Sequence, residues 1–280
     1  MHKTGPGGAF QIAILGHSFA DWASPMKILV TSLLALAALV SLSQGQVTTP
    51  APKSPGPAVI LPPQAPDVPA IKLGPDGQPK AGFLPAHERF VKIAQEGKAQ
   101  LVFLGDSITA GWAAKKDIWD KAFGAWEPAN FGIGGDRTQH VLWRIQNGEL
   151  ETIKPKAIVL MIGTNNVGAD SAEGIAKGIT AIVKTIREKQ PQAKLLLLGV
   201  FPRGEKASPN PSRDKLKEVN QIIAKLDNGD SIHYLDIGDK FLQPDGSLTK
   251  EIMPDFLHLS PAGYQIWADA ITPKLGELMK

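Results

Sequence analysis

Leu101-Val102-Phe103-Leu104-Gly105-Asp106-Ser107-Ile108 is the stretch that decides how the chain is read. Four apolar residues, rich in β formers, run into a Gly-Asp-Ser turn. A short apolar run with that ending predicts a buried strand whose carboxyl end opens into a loop or helix. In an open parallel sheet, ligands bind at such strand ends. A Ser placed there offers its hydroxyl to a cleft. It also offers its own N–H to an anion, because the first N–H groups of a helix have no intrahelical partner. Ser107 is therefore a candidate nucleophile. The plainer reading is that Asp106 and Ser107 only cap the next helix.

On the carboxyl side, further strands are expected at 129–133, 157–162, 194–200 and 233–237. Helical patterns fall between them at 138–146, 172–189 and 213–226. A last helix starts at Pro261, with Ser260 as its N-cap. On the amino side, 85–96 is amphipathic and helical. Strands alternating with helices predict an α/β sandwich on a parallel sheet. The unbroken apolar run Leu195–Leu198 fits a strand covered on both faces.

Further towards the amino terminus the composition changes. Residues 47–80 hold ten Pro in 34 positions and read as an extended linker without a core of its own. Before it, Met26-Lys27 leads into the apolar run 28–40 and then small residues. A basic start, an apolar centre and small residues describe a secretory signal peptide over 26–45, with Gln46 as the mature N-terminus. The run is shorter than the ~20 residues a spanning helix needs, which counts against an uncleaved anchor. Residues 1–25 are Gly-rich and aperiodic, and read as an extension upstream of the true start. The expected organisation is thus an extension (1–25), a signal (26–45), a linker (46–80) and one catalytic domain (81–280). The expected location is the secreted or periplasmic space.

Composition excludes several classes. The 280 residues carry a net charge of +3, and 81–280 hold 25 basic against 24 acidic residues, so no nucleic-acid footprint exists. There is no Cys, hence no disulfide, no Cys-ligated zinc and no thiol nucleophile. Position 137 is Arg where a dinucleotide loop wants Gly, and no phosphate-loop motif occurs. Asp236, Asp239 and Asp245 lack calcium-loop spacing. His140, in a helical pattern, and His233, at a strand start, read as structural.

Four stretches lie at strand ends or close the chain: Gly105-Asp106-Ser107, Asn130–Asp136 (NFGIGGD), Gly163-Thr164-Asn165-Asn166 and Asp255-Phe256-Leu257-His258. Together they supply what acyl transfer from an ester requires. Ser107 would attack the carbonyl carbon once a base takes its proton. His258, with Asp255 three residues earlier, is that base and its orienting carboxylate. The Ser107 N–H, the Gly135 N–H and the Asn165 amide are candidate oxyanion donors. Taken singly, these have bland readings as turn glycines, turn asparagines and a structural His. A polar residue such as Thr109 is a candidate pocket wall.

In that order, Ser107, Gly135, Asn165 and His258, with Asp255 ahead of the His, resemble the four blocks of the SGNH (GDSL-like) hydrolase family. Asn130–Asp136, His140–Arg144 (HVLWR), Asn147–Leu150 (NGEL), Gln190–Lys194 (QPQAK) and Pro202–Glu205 (PRGE) are similar to one branch of it, the catalytic α subunits of the type Ib platelet-activating factor acetylhydrolases. The resemblance covers residue 84 to the C-terminus. It implies a flavodoxin-like three-layer α/β/α sandwich with a five-stranded parallel sheet. It also implies a triad of Ser107, His258 and Asp255, no metal or cofactor, and a homodimer. Residues 108–126 depart from that branch and are expected to shape the acyl pocket. The function expected is an exported serine esterase that hydrolyses small acyl esters, acetyl above all, of carbohydrate or lipid. An acyltransferase to a sugar hydroxyl shares the acyl-enzyme half of that chemistry. A carbohydrate-binding module on the same fold would lack it.

Overall fold

The structure is a computed structural model that describes residues 63–280. The expected extension, signal and first part of the linker fall outside the described residues. In chain order the elements are α1 (Phe83–Glu96), β1 (Leu101–Gly105), α2 (Ser107–Ala110), α3 (Lys116–Phe123), β2 (Pro128–Gly132) and α4 (Thr138–Arg144). They continue with β3 (Ala157–Met161), α5 (Ala172–Lys189), β4 (Lys194–Leu198), α6 (Pro211–Ile223), β5 (Ile232–Leu235) and α7 (Pro261–Leu278).

The five strands form one parallel sheet in the order β2-β1-β3-β4-β5. The expected flavodoxin-like sandwich is what the chain adopts. β1 and β3 are buried at every position, which their unbroken apolar sequences require of central strands. From β1 the chain steps one way to β2, then crosses back to β3 and continues to β4 and β5. Right-handed crossovers therefore put the connecting helices on opposite faces. In agreement, α3 packs on α7, whereas α4, α5 and α6 pack side by side. The direction of travel reverses between β1 and β3. That switch point opens a crevice at the carboxyl ends of the two strands, and Ser107 follows β1 directly.

Two expectations need correction. Residues 63–80 are no free linker but a strap folded onto the domain. Leu73 bridges Pro79, Thr138 Oγ1 donates to the Pro66 carbonyl (2.8 Å), and the Ala70 N–H donates to the Gln139 carbonyl (3.1 Å). Pro disfavours helices and ladders, but it leaves carbonyls free to accept from a neighbouring element. The folded domain thus starts before residue 81. The segment 108–126, expected to shape the acyl pocket, turns Ile108, Trp112 and Phe123 into the core, while most of its other residues are partly or fully exposed. Trp112 and Phe123 are fully buried, and Trp112 packs within 5.4 Å of Phe123 and 5.1 Å of Trp267, ring centre to ring centre. Aromatic rings contribute large apolar area to such layers. Residues 116–123 form α3, a helix the sequence reading passed over.

Candidate active site

Ser107 is the first residue of α2, set directly above the end of β1. Asp106 caps the helix, its Oδ1 accepting from the Ile108 N–H at 3.0 Å. Such a steep turn needs close packing of α2 on the strand ends. A Cβ at Gly132, the last residue of β2, would stand 2.2 Å from the Ala110 nitrogen, so only Gly fits there. Asn130 ties the same two elements by donating from Nδ2 to the Thr109 carbonyl (3.0 Å). From α7, the buried Tyr264 donates its hydroxyl to the Ile108 carbonyl at 2.6 Å. Thr109, a candidate pocket wall, is 1% exposed and lies beneath the site instead.

Asp255 and His258 come from the loop ahead of α7. The Asp255 Oδ1 accepts from the N–H groups of Leu257 (3.1 Å) and His258 (2.7 Å). This folds the four residues into a tight turn, with Phe256 in the left-handed region at φ 57°. Such a conformation at a non-Gly residue costs roughly 1–3 kcal/mol and persists where surroundings fix it. Here the Gly204 N–H donates to the Phe256 carbonyl (2.8 Å) and the Phe256 N–H to the Met253 carbonyl (2.9 Å). The turn leaves Asp255 Oδ2 2.7 Å from His258 Nδ1, and His258 Nε2 2.8 Å from Ser107 Oγ.

That geometry assigns the protons. A carboxylate only accepts, so Nδ1 carries the hydrogen and Nε2 accepts from the Ser107 hydroxyl. Burial works to raise the Asp255 carboxyl, but the His258 ring, the His258 N–H and the Leu257 N–H together hold it below the usual carboxylate value. His258 and Asp255 are exposed on the crevice rim, so water reaches the pair.

The structure brings Gly135 and Asn165 to the same crevice. A Cβ at Gly134 would lie 3.9 Å from the Ser107 Cβ, so the Gly134–Gly135 peptide passes beside Ser107. Gly135 has φ +73°, a conformation Gly adopts without penalty. Among the described residues, neither the Ser107 N–H nor the Gly135 N–H has a hydrogen-bond acceptor. Asn165 differs. Its Nδ2 donates to the Asp136 carbonyl (2.9 Å) and to Asp106 Oδ2 (3.3 Å), so both amide hydrogens are engaged. It ties the Gly-Asp-Ser turn to the Gly-rich loop.

Beneath these loops lies a buried ionic cluster that the sequence reading did not single out. Arg144, fully buried, donates to Asp136 Oδ2 (2.9 Å), Glu149 Oε2 (2.5 Å) and the carbonyls of Gly105 (3.3 Å) and Phe131 (3.1 Å). His87 of α1 donates to Glu149 Oε1 (3.0 Å), and Lys72 of the strap sits 3.3 Å from Asp136 Oδ1. An Arg inside the otherwise apolar Val141–Ile145 run was the readable signal. Asp106 is equally buried, and burial pushes its carboxyl up to about 7. Burial, reinforced by Lys72, Arg137 and Arg144, lowers His140 to about 3. Its Nδ1 accepts from the Arg137 N–H (3.0 Å), and Nε2 meets Gln64 of the strap at 3.3 Å, a structural arrangement.

Comparison with known proteins bears on this site. The model of the GDSL-like lipase/acylhydrolase family matches residues 103–266. The chain is 43% identical over 199 residues to the human platelet-activating factor acetylhydrolase IB subunit alpha1, covering 70% of this chain and 84% of that one. It is 45% identical over 183 residues to the rat subunit alpha2, covering 65% of this chain and 78% of that one. Among solved structures it is similar to a GDSL-like lipase from Bacteroides thetaiotaomicron (TM-score 0.57, 19% identity, 70% of this chain and 98% of that one). It is also similar to a carbohydrate acetylesterase from Sinorhizobium meliloti (TM-score 0.51, 16% identity, 65% and 100%). These two likenesses bear on the fold alone.

Proposed function

The chain belongs to the GDSL-like lipase/acylhydrolase family and is an ester-hydrolysing enzyme; from that premise we propose that it removes a small acyl group, acetyl above all, through an acyl-Ser107 intermediate. The observation that carries this reading is the relay Asp255–His258–Ser107, with both links below 3 Å. Ser107 Oγ attacks the ester carbonyl while its proton passes to His258 Nε2. The electron pair of the C=O bond moves to oxygen, which accepts from the Ser107 and Gly135 N–H groups, neither of which has an acceptor among the described residues. Asn165 joins as a third donor by exchanging its longer bond, to Asp106. Collapse breaks the C–O bond to the alcohol, which takes the proton from His258. Water then attacks the acyl group, His258 accepts its proton, and the second collapse returns that proton to Ser107 as the acid leaves. Asp255 stays ionised throughout and stabilises the imidazolium. Each oxyanion donor is worth roughly 3–4 kcal/mol of barrier.

A short acyl group is what the similar human and rat proteins, both named acetylhydrolase subunits, suggest for this chain. The test is p-nitrophenyl ester hydrolysis by the full chain and by Ser107→Ala. Acetate is expected to turn over faster than octanoate, and the variant to lose about 10⁴-fold or more. Equal rates for wild type and variant would remove Ser107 as nucleophile, and faster octanoate turnover would remove the acetyl preference.

The same reading includes export. The basic start, apolar centre and small residues of 26–45 support a cleaved signal, and an exported esterase meets acetylated glycans. A secreted chain beginning at Gln46 that releases acetate from acetylated xylan is the expected result. Turnover of a phospholipid sn-2 acetyl ester with no release from xylan would overturn the glycan assignment.

A further inference from the structure

Lys72 lies in the strap, outside the matched family region and inside the stretch whose Pro content reads as a linker. Yet it is 6% exposed. Burying an ammonium is costly unless it is paired and hydrogen-bonded, so its partners have to explain its position. Its Nζ donates to the Gly134 carbonyl at 2.5 Å and to Asp136 Oδ1 at 3.3 Å. A Cβ on Gly135 would stand 3.0 Å from that Nζ. The ammonium therefore sits against the Gly134–Gly135 peptide.

The backbone around Lys72 is held on both sides. The Lys80 N–H donates to the Lys72 carbonyl (2.7 Å), and the Ala70 N–H to the Gln139 carbonyl (3.1 Å). Gln139 Nε2 reaches back to the Gln64 carbonyl (3.3 Å). The strap is thus bonded from Gln64 to Lys72 to the loop and helix start that follow β2.

In a trans peptide the C=O and N–H point in opposite directions. With Lys72 on the Gly134 oxygen, the Gly135 N–H faces away from the ammonium. It is one of the two N–H groups at the crevice that have no acceptor among the described residues. A cation at the carbonyl end of a peptide fixes its orientation and draws electron density from the amide. Chained hydrogen bonds strengthen one another by this effect, by about 10–30% per bond. Lys72 and Arg144 balance Asp136 and Glu149 in charge, so the cluster as a whole brings no net charge to the site. What Lys72 adds is one positive charge placed at one carbonyl oxygen.

We infer that Lys72 is a positioning residue, which holds and polarises the Gly134–Gly135 peptide so that the Gly135 N–H receives the oxyanion. This rests on the acyl-Ser107 reading above. Lys72 touches no reacting atom. It acts through the peptide, and with it the strap becomes part of the catalytic apparatus.

The experiment uses the full chain and exploits its lack of Cys, which makes Lys72→Cys the sole thiol. Alkylation in denaturant with 2-bromoethylamine, followed by refolding, gives a lysine-length side chain ending in an ammonium. Alkylation with 1-iodopropane gives the same length ending in a methyl. A common folding defect cancels in their ratio, which therefore reads the charge. Losing an oxyanion donor outright costs about 10²–10³-fold, and a polariser does less, so Lys72→Met is expected to lower kcat on p-nitrophenyl acetate by about 10–100-fold. KM is expected to stay within about two-fold, as for a group that acts only in the transition state. Affinity for a trifluoromethyl ketone, which adds to Ser107 and places an oxyanion in the same position, should fall in parallel. The aminoethyl form is expected to regain most of kcat and the propyl form not to. Equal kcat for the two thioethers, or a Lys72→Met enzyme with wild-type kcat, would overturn the inference while leaving the esterase reading intact. A wild-type chain whose hydrolysis survives Ser107→Ala would overturn both.

Discussion

Asp106→Asn tests whether the carboxyl next to Ser107 is neutral in the folded protein. Asp106 has no exposed surface, and burial pushes it up to about 7 from an ordinary 3.8, the nearby Asp136 carboxylate adding to the rise. The Ile108 N–H, His258 and Lys72 oppose that rise without cancelling it. Between these two values the folded chain keeps a proton that the unfolded chain has lost. Stability therefore falls as pH rises through the window, because the folded state binds more protons. At 1.36 kcal/mol per unit, most of the shift is crossed between pH 5 and 8, a loss of ~3 kcal/mol from this one group. Asn keeps the oxygen that caps Ile108 and cannot ionise. Its NH₂ would face the Asn165 amide across the present 3.3 Å bond, a pH-independent penalty of about 1 kcal/mol. The readout is thus a change of slope. Urea unfolding of wild type and Asp106→Asn at pH 5, 6, 7 and 8 should show the variant gaining ~3 kcal/mol on wild type across that range. Parallel stability curves would mean that Asp106 is ionised at neutral pH and that the reasoning is wrong.

Asp255→Asn should keep the fold and KM but lower kcat by about 10³-fold, since an amide cannot hold His258 in the required tautomer; steady-state kinetics with unchanged circular dichroism checks it. Arg144→Met leaves Asp136 and Glu149 buried without their common partner, and should cost roughly 3–5 kcal/mol in urea unfolding. A loss below about 1 kcal/mol would show that water or Lys72 already satisfies those carboxylates.

The centre of the sheet was legible because β1, β3 and β4 are short apolar runs buried on both faces. Leu101–Gly105 and Ala157–Met161 sit within a residue of where periodicity puts them. The last helix was marked by Ser260 and Pro261, and the Ser260 side chain does cap it. The segment 108–126 was misread because Trp112, Trp119 and Phe123 are spaced as a helix face, whereas the departure from relatives suggested a pocket. The core decides such cases, and buried rings leave no polar signal. Of the site, the convergence of Ser107, Gly135 and His258 was legible from three strand-end stretches and the loop before the last helix. The engagement of both Asn165 hydrogens was not, because it depends on where Asp106 and Asp136 come to lie.

Lys72 shows where sequence reasoning stops for a physical reason. Its partners are Gly134, 62 residues away, and Asp136, 64 residues away, and no local pattern records a bond of that span. Ten prolines nearby argue against helix and ladder, and they argue correctly; residues 63–80 contribute only one isolated bridge. But a chain that cannot pair with itself still offers carbonyls and side chains to a neighbour. Pro also fixes φ, which lowers the conformational entropy lost when the strap docks. The stiffness that reads as a spacer is the property that lets a short, irregular segment hold one ammonium in place. A domain cut at residue 81 would keep all five residues of the proposed relay and oxyanion set. It would lose the charge that orients one of them, so activity measured on such a fragment would understate the enzyme.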